Sequence, residues 1–168
     1  HHDFKVPMQN IQVIPNGIDF NTFCALPNIV PRVNGVITTA SADVPLKGLD
    51  FSLHAIARLK SEYLDINLTV IGSPRAEGHT ERLIKRLKLE EQVSFKTNLT
   101  KEEITHEYAK SAVAVVSSLY EGFGFPVGEA MACAIPLVAT NVASIPEITG
   151  AFAQLIPAED PDAIYQAI

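Results

Sequence analysis

The residues with the most chemical content lie in one run, Glu121-Gly122-Phe123-Gly124-Phe125-Pro126-Val127-Gly128-Glu129-Ala130-Met131. Three glycines let a backbone come close to a ligand and leave N–H groups free. Pro126 suits an early helical position, which would gather the N–H groups of Phe123, Gly124 and Phe125 at a helix mouth. Such a mouth is a cradle for an anion or for hydroxyl groups. Glu121 and Glu129, eight positions apart, flank it. Carboxylates repel phosphate but accept hydrogen bonds well from sugar hydroxyls. The glycine spacing alone carries little. Gly-x-Gly-x-x-x-Gly is one residue longer than the dinucleotide fingerprint, and it stands late in the chain. Glu129 could equally be a favourable charge in the first turn of a helix.

Other polar residues follow short apolar runs. Val44-Pro45-Leu46-Lys47-Gly48 sets a lysine ahead of a helical pattern, where it is either a solvated charge or a phosphate partner. Gly72-Ser73-Pro74-Arg75 reads first as an ordinary turn, although Gly72 permits a nucleotide to approach and Arg75 could reach a phosphate. Thr97-Asn98-Leu99 could offer backbone groups to a base.

Several classes of function are excluded. Among 168 residues, 13 Lys and Arg against 19 Asp and Glu give a net charge of −6, the wrong sign for a protein held by nucleic-acid phosphates. A hydrophobic fraction of 47% with only 19% charged residues argues for one packed domain rather than a disordered tail. Cys24 and Cys133 are too few for a disulfide framework and read as reduced, buried thiols of a cytosolic protein with no disulfide partner. His54, His79 and His106 have no second ligand at metal spacing, so no metal is expected. No Walker loop, Gly-x-Ser-x-Gly elbow or His-Glu-x-x-His is present.

The elements that must position these residues alternate. Short β-branched runs at residues 12–14, 35–39, 68–71, 93–96, 112–116, 136–139 and 154–156 read as seven strands. Leu49, Leu53, Ile56 and Leu59 repeat at helical steps, as do Leu83, Ile84 and Leu87. Thr100-Lys101-Glu102-Glu103 is a capping box opening a helix through Tyr108. Residues 127–133 form a further helix, and Asp160-Pro161 opens the last. Residues 112–116 are apolar on both faces, the signature of a central parallel strand. The expectation is an α/β, Rossmann-like doubly wound parallel sheet with helices on both faces, binding its ligand beyond the C-terminal ends of the strands.

With these loops in hand, the chain resembles the C-terminal half of the retaining GT-B glycosyltransferases of the GT4 family. The likeness is carried by Val13-Ile14-Pro15-Asn16-Gly17-Ile18-Asp19, Leu46-Lys47-Gly48, Val70-Ile71-Gly72 and, most specifically, the Glu-x7-Glu element from Glu121 to Glu129. Pro136-Leu137-Val138-Ala139-Thr140, Ile145-Pro146-Glu147-Ile148 and Leu155-Ile156-Pro157 add supporting order. The resemblance implies a domain that binds a nucleotide-diphosphate sugar for transfer of the sugar with retention of configuration, without a metal. Glu121 would lie against the donor sugar, and Glu129 would accept from the ribose hydroxyls. Backbone at Gly122 and the N–H groups of Phe123, Gly124 and Phe125 would hold sugar and diphosphate. Lys47 would neutralise the departing diphosphate. Gly72 would make room for the nucleotide, and Asn98 and Leu99 would touch the base.

Two departures from the family pattern stand out. The usual Arg five residues before the Lys is Ala42, and Arg75 is our candidate to replace it. The usual glycine pair before Ile-Pro-Glu is Ala143-Ser144, which should close that loop somewhat. Residues 1–10 read as an affinity-tag remnant and linker, and 11–168 as the donor-binding domain. The resemblance places the acceptor (a sugar, lipid or small molecule) on an N-terminal domain absent from this chain, so the isolated half should bind nucleotide weakly and transfer nothing. The family implies a cytoplasmic protein, often working at the membrane face. Alternatives are a non-catalytic nucleotide-binding module, a degenerate homologue, or another GT-B enzyme such as a sugar-nucleotide epimerase.

Overall fold

The computed structural model describes residues 6–40 and 43–168. Six parallel strands form one sheet: β1 (Arg32–Thr39), β2 (Asn67–Ile71), β3 (Val93–Lys96), β4 (Ser111–Val116), β5 (Leu137–Thr140) and β6 (Gln154–Ile156), in the order β3-β2-β1-β4-β5-β6. The helices between them are α1 (Leu49–Leu59), α2 (His79–Leu87), α3 (Lys101–Ala109), α4 (Phe125–Ala132), α5 (Ile145–Thr149) and α6 (Pro161–Ala167). This is the doubly wound order in which the chain runs outward from β1 in one direction, then returns to start again at β4.

The central strands explain the architecture. In β1, Val36 faces one core with α1, α2 and α6, while its neighbour Ile37 faces a second core with α3, α4 and α5. In β4, Val115 joins the first core, and Ala114 and Val116 join the second. A strand buried on both faces must be apolar at consecutive positions, which is why 112–116 reads as it does. β4 pairs with β1 through Val36–Val113 and Ile37–Ala114, and with β5 through Ala114–Leu137 and Val115–Val138.

The helix starts follow local chemistry. Thr100 Oγ1 accepts from the Glu103 N–H at 3.2 Å, and Glu103 Oε2 accepts from the Thr100 N–H at 2.7 Å, closing the capping box of α3. Asp160 Oδ1 accepts from the N–H groups of Asp162 and Ala163 at 3.0 and 2.9 Å, opening α6.

Three expectations are corrected. Residues 12–14 pair with no strand among the described residues; Val13 is 87% exposed, and a three-residue run with no face to bury cannot hold a strand. The helix α5 was not anticipated, although Pro146 in its first turn and the buried Ile145 carry the signal. Cys133 is buried, which pushes its thiol up to about 11, but Cys24 is only half-buried. The readings of His1, His2 and Ala42 concern residues outside those described. No described helix is long and apolar enough to cross a membrane.

Candidate functional site

The strand order creates the site. The chain's direction of winding reverses between β1 and β4, and in open α/β sheets the ligand crevice lies beyond the strand ends at such a reversal. After β1, Pro45–Lys47 form a single 3₁₀ turn ended by Gly48 at φ 62. After β4, Ser117, Ser118 and Leu119 run alongside it. The Leu119 N–H donates to the Leu46 carbonyl at 2.8 Å, and Ser117 Oγ donates to the Gly48 carbonyl at 2.9 Å. Glycine is compulsory at 48: a Cβ there would lie 1.9 Å from the Ser117 carbonyl oxygen. The two loops are thus stapled by one backbone pair and one serine hydroxyl.

That staple brings Lys47 to Glu121, 74 residues away. Lys47 Nζ donates to Glu121 Oε1 at 2.8 Å, and Ser118 Oγ donates to the same oxygen at 2.7 Å. Glu121 is 7% exposed, and Ser118 is buried behind it. A buried carboxylate needs such donors to stay in place. Among the described residues Oε2 makes no hydrogen bond. The lysine is therefore no isolated surface charge. Thr140 Oγ1 donates to the Ser118 carbonyl, tying β5 to the same corner.

The helix mouth forms as anticipated, two residues earlier than the apolar pattern placed it. Gly124 is the N-cap of α4 at φ 90, Phe125 is the first helical residue and Pro126 follows. Among the described residues, the N–H groups of Phe123, Gly124 and Phe125 donate to nothing in the protein. Phe123 and Phe125 stack edge to face, their centroids 4.9 Å apart, which braces the turn.

The three glycines have separate reasons. Gly124 supplies a left-handed conformation. Gly128 does not face a ligand: a Cβ there would press to 2.7 Å on Ile18, so its role is packing of the N-terminal segment on α4. Gly122 is exposed, and a Cβ there would meet nothing within 4 Å. Nothing in the protein requires a glycine at 122, and the space beside it is open.

Glu129 lies in the second turn of α4, so a first-turn charge does not explain it. It is half-buried, and burial raises its carboxyl above the usual value; Lys101 and Tyr108 oppose the rise. The neighbouring Tyr108 is 1% exposed and exchanges a hydrogen bond with Thr39 Oγ1 at 3.0 Å. Its own ionisation is pushed far up, by burial first.

The loops after β2 and β3 are built differently. Gly72 has φ 153, and its N–H donates to the Lys96 carbonyl at 2.9 Å. Arg75 is exposed; its N–H, not its guanidinium, is held, donating to Asp43 Oδ2 at 3.2 Å. Asp43 Oδ1 accepts from the Thr80 N–H at 2.9 Å, and that bond first of all holds the Asp43 carboxyl below its ordinary range. Asp43 thus anchors the loop after β1 to the start of α2. Asn98 is exposed at φ 56, a conformation asparagine tolerates. Leu99 is half-buried, its side chain packed on the core beneath α3 and α4. Among the described residues no group of three or more His, Cys, Asp or Glu is placed to hold a metal.

Ser118, Thr140, Tyr108 and Asp43 were not singled out from sequence as site residues, and Ser144 stood out only as a departure from the family's glycine pair. Only Ser118 carried a signal: a hydroxyl directly after an apolar central strand and three residues before Glu121.

The six-stranded parallel sheet and its order define a doubly wound, Rossmann-like domain. The sequence pattern of the family Glycosyl transferases group 1 matches residues 34–168, and the chain belongs to that family. It is 40% identical over 148 residues to MMP alpha-(1->4)-mannosyltransferase of Mycolicibacterium hassiacum, covering 88% of this chain and 35% of that one. The chain therefore spans about a third of that relative's length. Anabaena Alr3699/HepE in complex with UDP and glucose superposes with a TM-score of 0.80 at 22% identity, over 98% of this chain and 48% of that chain. The C-terminal domain of a group 1 glycosyl transferase (LpcC) of Francisella tularensis matches with a TM-score of 0.74 at 23% identity, over 89% of this chain and 85% of that chain.

Proposed function

We propose that this chain is the donor-binding domain of a retaining glycosyltransferase that takes a nucleotide-diphosphate sugar. The observation that carries the proposal is the Lys47–Glu121 pair, held at the β1–β4 crevice beside the unpaired N–H groups at the mouth of α4. A diphosphate leaving a sugar accumulates negative charge on the departing oxygen, while the sugar ring becomes positive. Lys47 and the N–H groups of Phe123, Gly124 and Phe125 stabilise the first; no metal is needed for that. The free oxygen of Glu121 orients the sugar. Glu129 takes the ribose hydroxyls. Gly72 leaves room for the nucleoside, Asn98 and the backbone of Leu99 lie towards the base, and Arg75 supplies the second cation that Ala42 does not.

The mannosyltransferase relative supports a hexosyl, and in particular a mannosyl, donor. Transfer requires an acceptor-binding domain outside the 168 residues, and the whole enzyme works in the cytoplasm, at or near its membrane face. Ala42 favours a second reading, a degenerate homologue that keeps the fold and binds no donor. Calorimetric titration with UDP, GDP and ADP decides between them. Saturable binding of one nucleotide supports the donor site. Failure of all three leaves the degenerate homologue.

A further inference from the structure

Ser144 stands at the N-cap of α5 with φ −80 and ψ −11, and it makes no capping hydrogen bond. Serine is among the best N-cap residues, and a cap of this kind contributes about 1 kcal/mol. Here the hydroxyl points elsewhere. Ser144 Oγ lies 3.0 Å from the Glu121 carbonyl and 2.9 Å from the Phe123 carbonyl, and its one hydrogen is shared between them. The preceding Ala143 is held at φ 47, a left-handed conformation that costs a residue with a Cβ. The chain thus forgoes a local cap and accepts a strained neighbour, and in return one hydroxyl bridges a loop 21 and 23 residues away.

The bridged loop is otherwise held by side chains, the Glu121 carboxylate on Lys47 and Ser118 and the Phe123–Phe125 stack, and Ser144 adds a grip on its backbone. Gly122 is exposed, and among the described residues the N–H groups at 123, 124 and 125 donate to nothing. Ser144 grips this loop by carbonyls on either side of Gly122, which fixes the direction of the peptide planes leading into the cradle.

We infer that Ser144 is a positioning residue that pre-sets the 121–125 loop for the sugar-diphosphate part of the donor, and so contributes to discrimination between a nucleotide sugar and the bare nucleoside monophosphate. The inference rests on the donor-site reading above. Ser144 touches no donor atom in this account; it acts through the peptide groups of Glu121 and Phe123.

The test is calorimetry on the 168-residue chain with UDP-glucose, GDP-mannose, ADP-glucose, UMP, GMP and AMP as probes. For whichever base binds, Ser144→Ala should weaken the sugar conjugate by roughly threefold to tenfold, the worth of one hydrogen bond. The monophosphate should change by less than about twofold, because it does not reach the loop. Ser144→Thr, which keeps the hydroxyl, should restore the conjugate's affinity. If Ser144→Ala does not fold, Ser144→Gly takes its place with the same expectation. Equal loss for conjugate and monophosphate would overturn the inference, as would a Ser144→Ala chain that binds the conjugate like the wild type. A wild-type chain that binds none of the probes would overturn the donor-site reading itself, and this inference with it.

Discussion

The crevice has two sides, and they are held by different means. At the β1–β4 corner, Lys47, Ser117, Ser118, Glu121, Thr140 and Ser144 are joined by hydrogen bonds across long stretches of sequence. At the β2–β3 corner, Gly72, Arg75 and Asn98 present backbone or exposed side chains, and Asp43 braces the Arg75 turn against the start of α2. The contrast suits two tasks. Charge that develops in a reaction must be met by groups already in place, because reorganisation at that moment raises the barrier. A base needs only a surface with room and a few backbone partners. The first corner is therefore expected to tolerate little, and the second a good deal.

The sharpest break is a pair of glycine substitutions. Gly48→Ala drives a Cβ into the Ser117 carbonyl at a left-handed backbone position, so it should lower stability by about 3 kcal/mol or more. Gly122→Ala meets nothing and should stay within about 0.5 kcal/mol of wild type, while it obstructs the nucleotide sugar. Denaturant unfolding of both variants checks the contrast.

Next comes the ion pair. Lys47→Ala leaves the buried Glu121 carboxylate with only Ser118 as donor, and should destabilise the chain by about 1–3 kcal/mol. Nucleoside diphosphate affinity should fall by on the order of tenfold, with monophosphate affinity less affected. A Lys47→Ala chain as stable as wild type would show that the pair is not a structural element of the corner.

Glu129 gives a smaller, pH-dependent effect. Burial raises its folded-state carboxyl above the ordinary 4.5, so its charged form is disfavoured in the fold at neutral pH. Glu129→Gln should therefore raise the Tm at pH 7. That gain should shrink as pH falls through the raised folded value, and vanish below about 4.5, where both folded and unfolded wild type are protonated. Tm measured between pH 4 and 7 reads it. A group kept at a cost to stability is what a binding role requires.

The smallest effect belongs to the looser corner. Arg75 is exposed, and Arg75→Ala should reduce diphosphate affinity by about twofold to threefold without changing stability. Unchanged affinity would remove Arg75 from the phosphate site.

The same contrast governs what the sequence revealed. The Thr100–Glu103 capping box, the span of β3 and the doubly apolar β4 follow from local rules, and the structure has each of them. The cradle at Phe123, Gly124 and Phe125 was legible because proline and glycine act on their immediate neighbours. The Lys47–Glu121 pair was not, because it depends on β1 lying beside β4, and strand order is a property of the whole sheet. Residues 12–14 misled for the same reason in reverse: they have a strand's composition and no partner. Gly128 looked like a ligand glycine until Ile18 was seen against it. Ser144 stood at a position known only for departing from the family's glycine, and its purpose lies in a loop 21 residues away.

The proposed donor site gives the two carboxylates of the Glu-x7-Glu element different parts of one donor. Calorimetric titration of the nucleoside diphosphate that binds best, into wild type, Glu121→Ala and Glu129→Ala, tests it most directly. Glu129→Ala should weaken binding by on the order of tenfold, through loss of the ribose contact. Glu121→Ala should leave it unchanged or slightly tighter, since Lys47 is then released to the diphosphate. Equal losses in both variants would contradict the claim.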